Sequence, residues 1–164
     1  AMIAAIPGRK IIVKGNHDYW WTTAAKFYRF CEENGFSDLY LLNNNCYFYN
    51  GIALTGSALV FEEDAPDGSH NDKIFKRELL RLEASLRAAG DTPEKLCFLH
   101  YPPRYRGYEC PEILALLERY SVKECCYGHL HGSSHRLAIE GVHHGVTYRL
   151  CAADYTNFAP IRLR

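Results

Sequence analysis

Six side chains in three separated stretches have types and spacing that could hold a cation or move a proton. Gly15-Asn16-His17-Asp18 places in a row a metal ligand, a proton carrier and a group able to orient that carrier. His100 stands before Tyr101-Pro102-Pro103, and Gly128-His129-Leu130-His131-Gly132 carries two imidazoles two residues apart. Neutral imidazole nitrogens and an amide oxygen suit borderline ions such as zinc, manganese, iron or nickel. Taken singly, each stretch has a plainer reading. Asn-His-Asp also fits a polar turn after a strand, and a lone histidine on a strand is usually a core or surface residue.

The three stretches share a context. Each closes an apolar run, over residues 10–14, 95–99 and 122–127. A short β-branched run that breaks at glycine reads as a buried strand, and open α/β sheets place their chemistry in the loops at the strands' carboxyl ends. Pro102 and Pro103 force Tyr101 to be extended and so fix where His100 points. If residues 128–131 are extended, His129 and His131 face one side while Leu130 turns into the core.

In this order the stretches resemble the signature of the calcineurin-like metallophosphoesterase superfamily, which carries Gly-Asn-His-Asp, then a lone His, then Gly-His-x-His. The resemblance implies an α/β fold, a mixed-sheet sandwich of the metallophosphoesterase type. It also implies that the first strands are lacking, because Asp-x-His and Gly-Asp-x-x-Asp motifs would lie upstream of Gly15. The family's site holds two divalent ions (Mn, Fe, Zn or Ni). By analogy Asn16, His100 and His129 serve one ion and His131 the other, while a metal-activated hydroxide attacks phosphorus of a phosphate ester. His17 would assist the leaving group and Asp18 would orient the His17 ring. Two dications about 3.5 Å apart repel by roughly 19 kcal/mol at an effective dielectric of 20, and the four ligands named here are all neutral. This chain alone is therefore expected to hold one ion, weakly, at Asn16, His100 and His129. The alternative to an enzyme is a metal-binding or scaffold domain that needs an N-terminal segment or a partner chain.

Length and composition fit one domain over residues 1–164, N-terminally incomplete in this reading, since Ala1 to Ile6 resembles the last turns of a helix stopped by Pro7-Gly8. A short helix of its own is the other reading. Nineteen basic residues balance nineteen acidic ones, so no overall field indicates nucleic acid or an anionic membrane as partner. No apolar run reaches the roughly 20 residues of a membrane span, and a cytoplasmic location is the default expectation. Seven cysteines without Cys-x-x-Cys spacing suit reduced thiols packed as small hydrophobes. Zinc at Cys125 and Cys126 is disfavoured, because adjacent strand residues face opposite sides. A bare edge at residues 10–14 would call for a homo-oligomer or a complementing chain.

Elsewhere, Thr22 or Thr23 can cap a helix with Phe27, Phe30 and Cys31 on its inner face, ending near Asn34-Gly35. Tyr19, Trp20 and Trp21 either wall a pocket or pack on the sheet. Asn50-Gly51 between apolar runs predicts a hairpin. A polar loop over residues 62–71 precedes a helix over 72–89, and 90–94 is a surface turn. Arg104 and Arg106 either meet phosphate or are solvated. Pro111 opens a helix that buries Ile113, Leu114 and Leu117. His135, His143 and His144 lack the strand-end ligand partners that His129 and His131 have, and are expected on closing strands over residues 136–150.

Overall fold

The computed structural model describes residues 2–18, 23–59 and 68–163. Tyr19 to Thr22, and residues 62–67 of the expected polar loop, lie outside them. One helical turn, α1 (Met2–Ala5), precedes β1 (Lys10–Val13), which runs parallel to β2 (Leu39–Leu42) through the crossover helix α2 (Ala24–Glu33). Thr23 caps α2: its backbone is extended and its Oγ1 accepts the Lys26 N–H at 3.2 Å. Phe27 and Cys31 are buried one turn apart, as expected. Phe30, expected beside them, is exposed, its ring 5.9 Å from Phe36. Of the three positions expected on its inner face, α2 buries Phe27 and Cys31, and among the described residues the β1–β2 sheet beside it has two strands. β1 likewise is half-buried at all four positions instead of fully buried, and among the described residues β2 is its only strand neighbour.

A second sheet carries the core. β3 (Tyr47–Tyr49) and β4 (Ile52–Ser57) form the expected hairpin, with Asn50 and Gly51 at φ of 48° and 80°, the left-handed pair that a two-residue turn needs to match strand twist. α3 (Gly68–Ala88), beginning four residues before Asp72, crosses to β5 (Glu94–Leu99). A small hairpin of β6 (Arg104–Tyr105) and β7 (Tyr108–Glu109) leads to α4 (Pro111–Arg119), with Pro111 at its first turn, and then to β8 (Glu124–Tyr127). A 3-10 turn (Gly132–Leu137), β9 (Gly141–His143) and β10 (Val146–Leu150) close the chain. The strand order is β3-β4-β5-β8-β10-β9, parallel through its four central strands and antiparallel at both margins. This is the mixed α/β architecture expected.

Helices α3 and α4 cover one face. Leu82 and Leu86 from α3, and Ile113 and Leu117 from α4, lie in one cluster with Cys97, Leu99, Cys125, Tyr127, Tyr148 and Leu150 of the sheet. All seven cysteines are free thiols, and Cys125 and Cys126 are buried. Among the described residues, Tyr148 Oη in this cluster has no hydrogen-bond partner, whereas the Ser85 hydroxyl that α3 buries is paired. Ser85 Oγ accepts the Gly56 N–H at 2.8 Å and donates to Asn45 O, tying α3 to β4 and to the loop before the hairpin.

Gly56 sits opposite Phe98 in the β4/β5 pair, with φ of 153°. A Cβ there would overlap the Phe98 carbonyl oxygen, a backbone atom that cannot swing aside. Gly56→Ala is therefore expected to lower the unfolding free energy by about 3 kcal/mol, read from urea denaturation. A loss under about 0.5 kcal/mol would show that the strand pair can open to admit a methyl group.

Candidate metal centre

Four parallel strands end on one transverse line. Ser57 pairs with Leu99, Leu99 with Tyr127, and Tyr127 with Leu150, so the residues that follow emerge at one level. Backbone hydrogen bonds extend that line by a residue, from Gly128 N–H to His100 O (3.1 Å) and from Cys151 N–H to Tyr127 O (2.7 Å). β1 adds its own carboxyl end: Val13 lines the same small cavity as His100, Gly128 and Cys151.

Three of the expected ligands meet there. His100 Nε2 lies 2.7 Å from Asn16 Oδ1 and 3.3 Å from His129 Nδ1. One Nε2–H can bridge both neighbours, which then turn their lone pairs toward a single proton. Removing that proton leaves an amide oxygen and two imidazole nitrogens facing a common point, the condition for holding a cation. With metal–nitrogen distances of about 2.0–2.1 Å, tetrahedral ligand atoms stand roughly 3.3 Å apart. The two histidine nitrogens already have that spacing, and the Asn16 oxygen needs to withdraw by roughly half an ångström. The donor set therefore fits a divalent ion of the borderline class. Among the described residues, no three His, Cys, Asp or Glu side chains are gathered for a metal; the third donor here is the Asn16 amide.

The surroundings hold this contact in place. A Cβ at Gly15 would come within 3.1 Å of His100 Cε1, so glycine lets the β1 loop lie against the His100 ring. The His129 ring stacks on buried Tyr101 with centroids 4.0 Å apart. The His129 backbone departs from the extended course expected for residues 128–131: its φ is 66°. That left-handed residue aims the ring back toward His100, while Leu130 is buried as expected.

The other expected residues are near but differently engaged. His17 is exposed, its Nε2 3.5 Å from Asn16 Nδ2. Asp18 Oδ2 accepts the Gly15 N–H at 2.7 Å, closing the loop, and its charge acts on His100. His131 turns its Nδ1 to Asp154 Oδ1 at 2.8 Å. Sequence reasoning missed Asp154 and Tyr101. The signal for Asp154 was present, since it follows the apolar run of β10 as the ligands follow theirs. His135 and His144 each lie beside a carboxylate: His135 Nε2 is 3.1 Å from Asp154 Oδ2, and His144 Nδ1 is 2.8 Å from Glu118 Oε1. His135 also lies in the 3-10 turn, ahead of the closing strands. Arg104 pairs with Glu109 at 2.7 Å and lies over the Tyr148 ring, and Arg106 is exposed beside the β6/β7 turn.

A family model described as calcineurin-like phosphoesterase matches residues 1–133 of the chain. No curated protein and no solved structure matches it significantly.

Burial first, and then the His129 ring, push His100 down to about 4, against opposition from Asp18. A histidine of the unfolded chain titrates near 6.5, so between the two values the unfolded state binds the extra proton. Stability is thus complete above about 6.5 and is lost as pH falls toward about 4. Ring-nitrogen NMR should give a His100 midpoint near 4; a midpoint in the ordinary histidine range would contradict the packing described.

Proposed function

The chain belongs to the calcineurin-like phosphoesterase family, and on that footing we propose that it hydrolyses phosphate esters with divalent metal held by Asn16, His100, His129 and His131. The observation that carries this reading is the meeting of Asn16 Oδ1, His100 Nε2 and His129 Nδ1 within 2.7 and 3.3 Å, from loops that are 84 and 29 residues apart. Packing alone does not select three uncharged metal donors at three different strand ends.

Divalent ions, when bound, supply charge to neutralise a phosphoryl group and acidify water at neutral pH. The chain's own residues do the rest. His100, held neutral by burial, keeps its lone pair available across the physiological range. Asn16 uses both ends of its amide: Oδ1 faces His100, and Nδ2 lies toward His17. His17 thereby stands at the rim of the donor cluster, solvent-accessible and able to donate a proton to, or stabilise charge on, a departing ester oxygen. Asp18 adds a negative charge near His100 and holds the Gly15 loop against that ring. The substrate is stated only as a phosphate ester.

The neutrality of the three converging donors favours one specific second reading, a domain that takes up an ion without turning over substrate. Titration with Mn²⁺ or Zn²⁺, paired with hydrolysis of p-nitrophenyl phosphate, separates the two. For the enzyme, chelation abolishes turnover and His129→Ala weakens metal uptake at least tenfold. His17→Ala should leave uptake intact while lowering kcat by about 100-fold or more. Stoichiometric uptake without hydrolysis identifies the binding domain, and no uptake at all overturns both.

A further inference from the structure

Asp154 lies beyond the segment that the family model matches, in the loop after β10, yet it is the group on which His131 rests. Its carboxylate is fixed from several sides. Oδ2 accepts the Gly132 N–H at 2.8 Å, and Oδ1 accepts the Tyr155 N–H at 3.1 Å and meets His131 Nδ1 at 2.8 Å. His135 Nε2 sits 3.1 Å from Oδ2 without the alignment of a hydrogen bond. Gly132 has φ of 54°, a left-handed residue that turns its N–H toward this carboxylate immediately after the Gly-His-Leu-His stretch. The loop itself is braced by Thr156 N–H to Ala152 O and Phe158 N–H to Ala153 O, at 3.0 and 2.7 Å. A carboxylate so held has little freedom to follow the ring; the ring must follow it.

We propose that Asp154 is the positioning residue for His131, fixing its imidazole as the Nδ1–H tautomer so that Nε2 presents a lone pair to the metal. The donor assignment follows from chemistry. An ionised carboxylate only accepts, so the proton between the two groups resides on Nδ1, and in a neutral imidazole the other nitrogen is then the acceptor. Carboxylates in this position commonly raise the basicity and set the direction of a ligating histidine. The metal half of the proposal rests on the function proposed above; the tautomer half does not.

Asn at position 154 supplies a discriminating variant. It has one oxygen where two backbone N–H groups and His131 all require acceptors. The shorter backbone bond, from Gly132, takes the oxygen, and the amide NH₂ is left facing His131 Nδ1. His131 should then switch to the Nε2–H tautomer. Ring-nitrogen chemical shifts of the metal-free chain at neutral pH should show His131 as Nδ1–H in the native protein and Nε2–H in Asp154→Asn. Mn²⁺ affinity should fall about 10–100-fold in the variant, with Asp154→Glu falling less.

A native His131 that averages between tautomers, or an Asp154→Asn chain whose tautomer and Mn²⁺ affinity are both unchanged, overturns the proposal even if thermal stability drops. The native spectrum decides the tautomer without any variant, should Asp154→Asn fail to fold. Unchanged Mn²⁺ affinity in His131→Ala would instead remove His131 from the metal reading, leaving the Asp154–His131 tautomer pair to be judged by the spectra.

Discussion

Parallel register is the constraint on which the site depends. Ladder pairing puts Ser57, Leu99, Tyr127 and Leu150 abreast, so the loops that follow begin from a common edge and need only one or two residues to reach each other. In an antiparallel sheet the same loops would alternate between opposite ends. A slip of one residue in β8 would also exchange its faces, moving Cys125 and Tyr127 out of the helix-covered core. Burial of those two residues beneath α3 and α4 therefore specifies the register, and the register specifies where His129 begins. Core packing and site geometry are one problem here, solved by the same hydrogen-bond ladder.

Local conformation then does what the ladder cannot. From the common edge, His129 turns back to His100 through a left-handed backbone, which for a residue with a side chain costs on the order of 1 kcal/mol or more. Stacking on Tyr101 and burial of Leu130 on the next residue offset that cost. Gly15 contributes in the opposite manner, by lacking a side chain where the His100 ring approaches. Both devices press polar rings together in a partly dry place, and the depressed basicity of His100 records it. An imidazole that resists protonation costs stability in acid but remains a ligand. The unprotonated ring keeps its lone pair available at neutral pH, while the same burial also opposes a metal ion unless its ligand bonds and nearby carboxylates offset the cost.

Much of this was legible in the chain. The strand ends carrying Asn16, His100 and His129, the Asn50-Gly51 hairpin and the helices with Leu82, Leu86, Ile113 and Leu117 followed from periodicity and turn chemistry, which are local. What escaped depended on distant partners. Phe30 was misplaced because a helix's own pattern does not reveal which of its apolar positions its neighbours will cover. The conformation of His129 was misjudged because alternation presumes a strand that in fact stops at Tyr127. The contact of Asp18 with the Gly15 backbone was not foreseen; its role beside His17 had been taken from the family resemblance. Asp154 was passed over because one aspartate after a strand is a weak signal until something 23 residues earlier is seen to lean on it.

Charge gives these misreadings a common sense. Counting ligands by type leaves a neutral set, Asn16, His100, His129 and His131, facing a cation that would have to be desolvated to enter. The structure puts a carboxylate at one remove on each flank, Asp18 near His100 and Asp154 beneath His131. At an effective dielectric of about 20, a unit negative charge roughly 6 Å from a dication still contributes on the order of 5 kcal/mol of gross attraction, before desolvation is subtracted. That is enough to matter for holding one ion and small beside the roughly 19 kcal/mol of repulsion between two dications about 3.5 Å apart. On the proposed reading the described carboxylates would act from behind the donors, Asp154 by directing His131 and Asp18 by its charge near His100. On that reading the neutral donors would select the kind of ion, and the acidic residues behind them would add to its attraction.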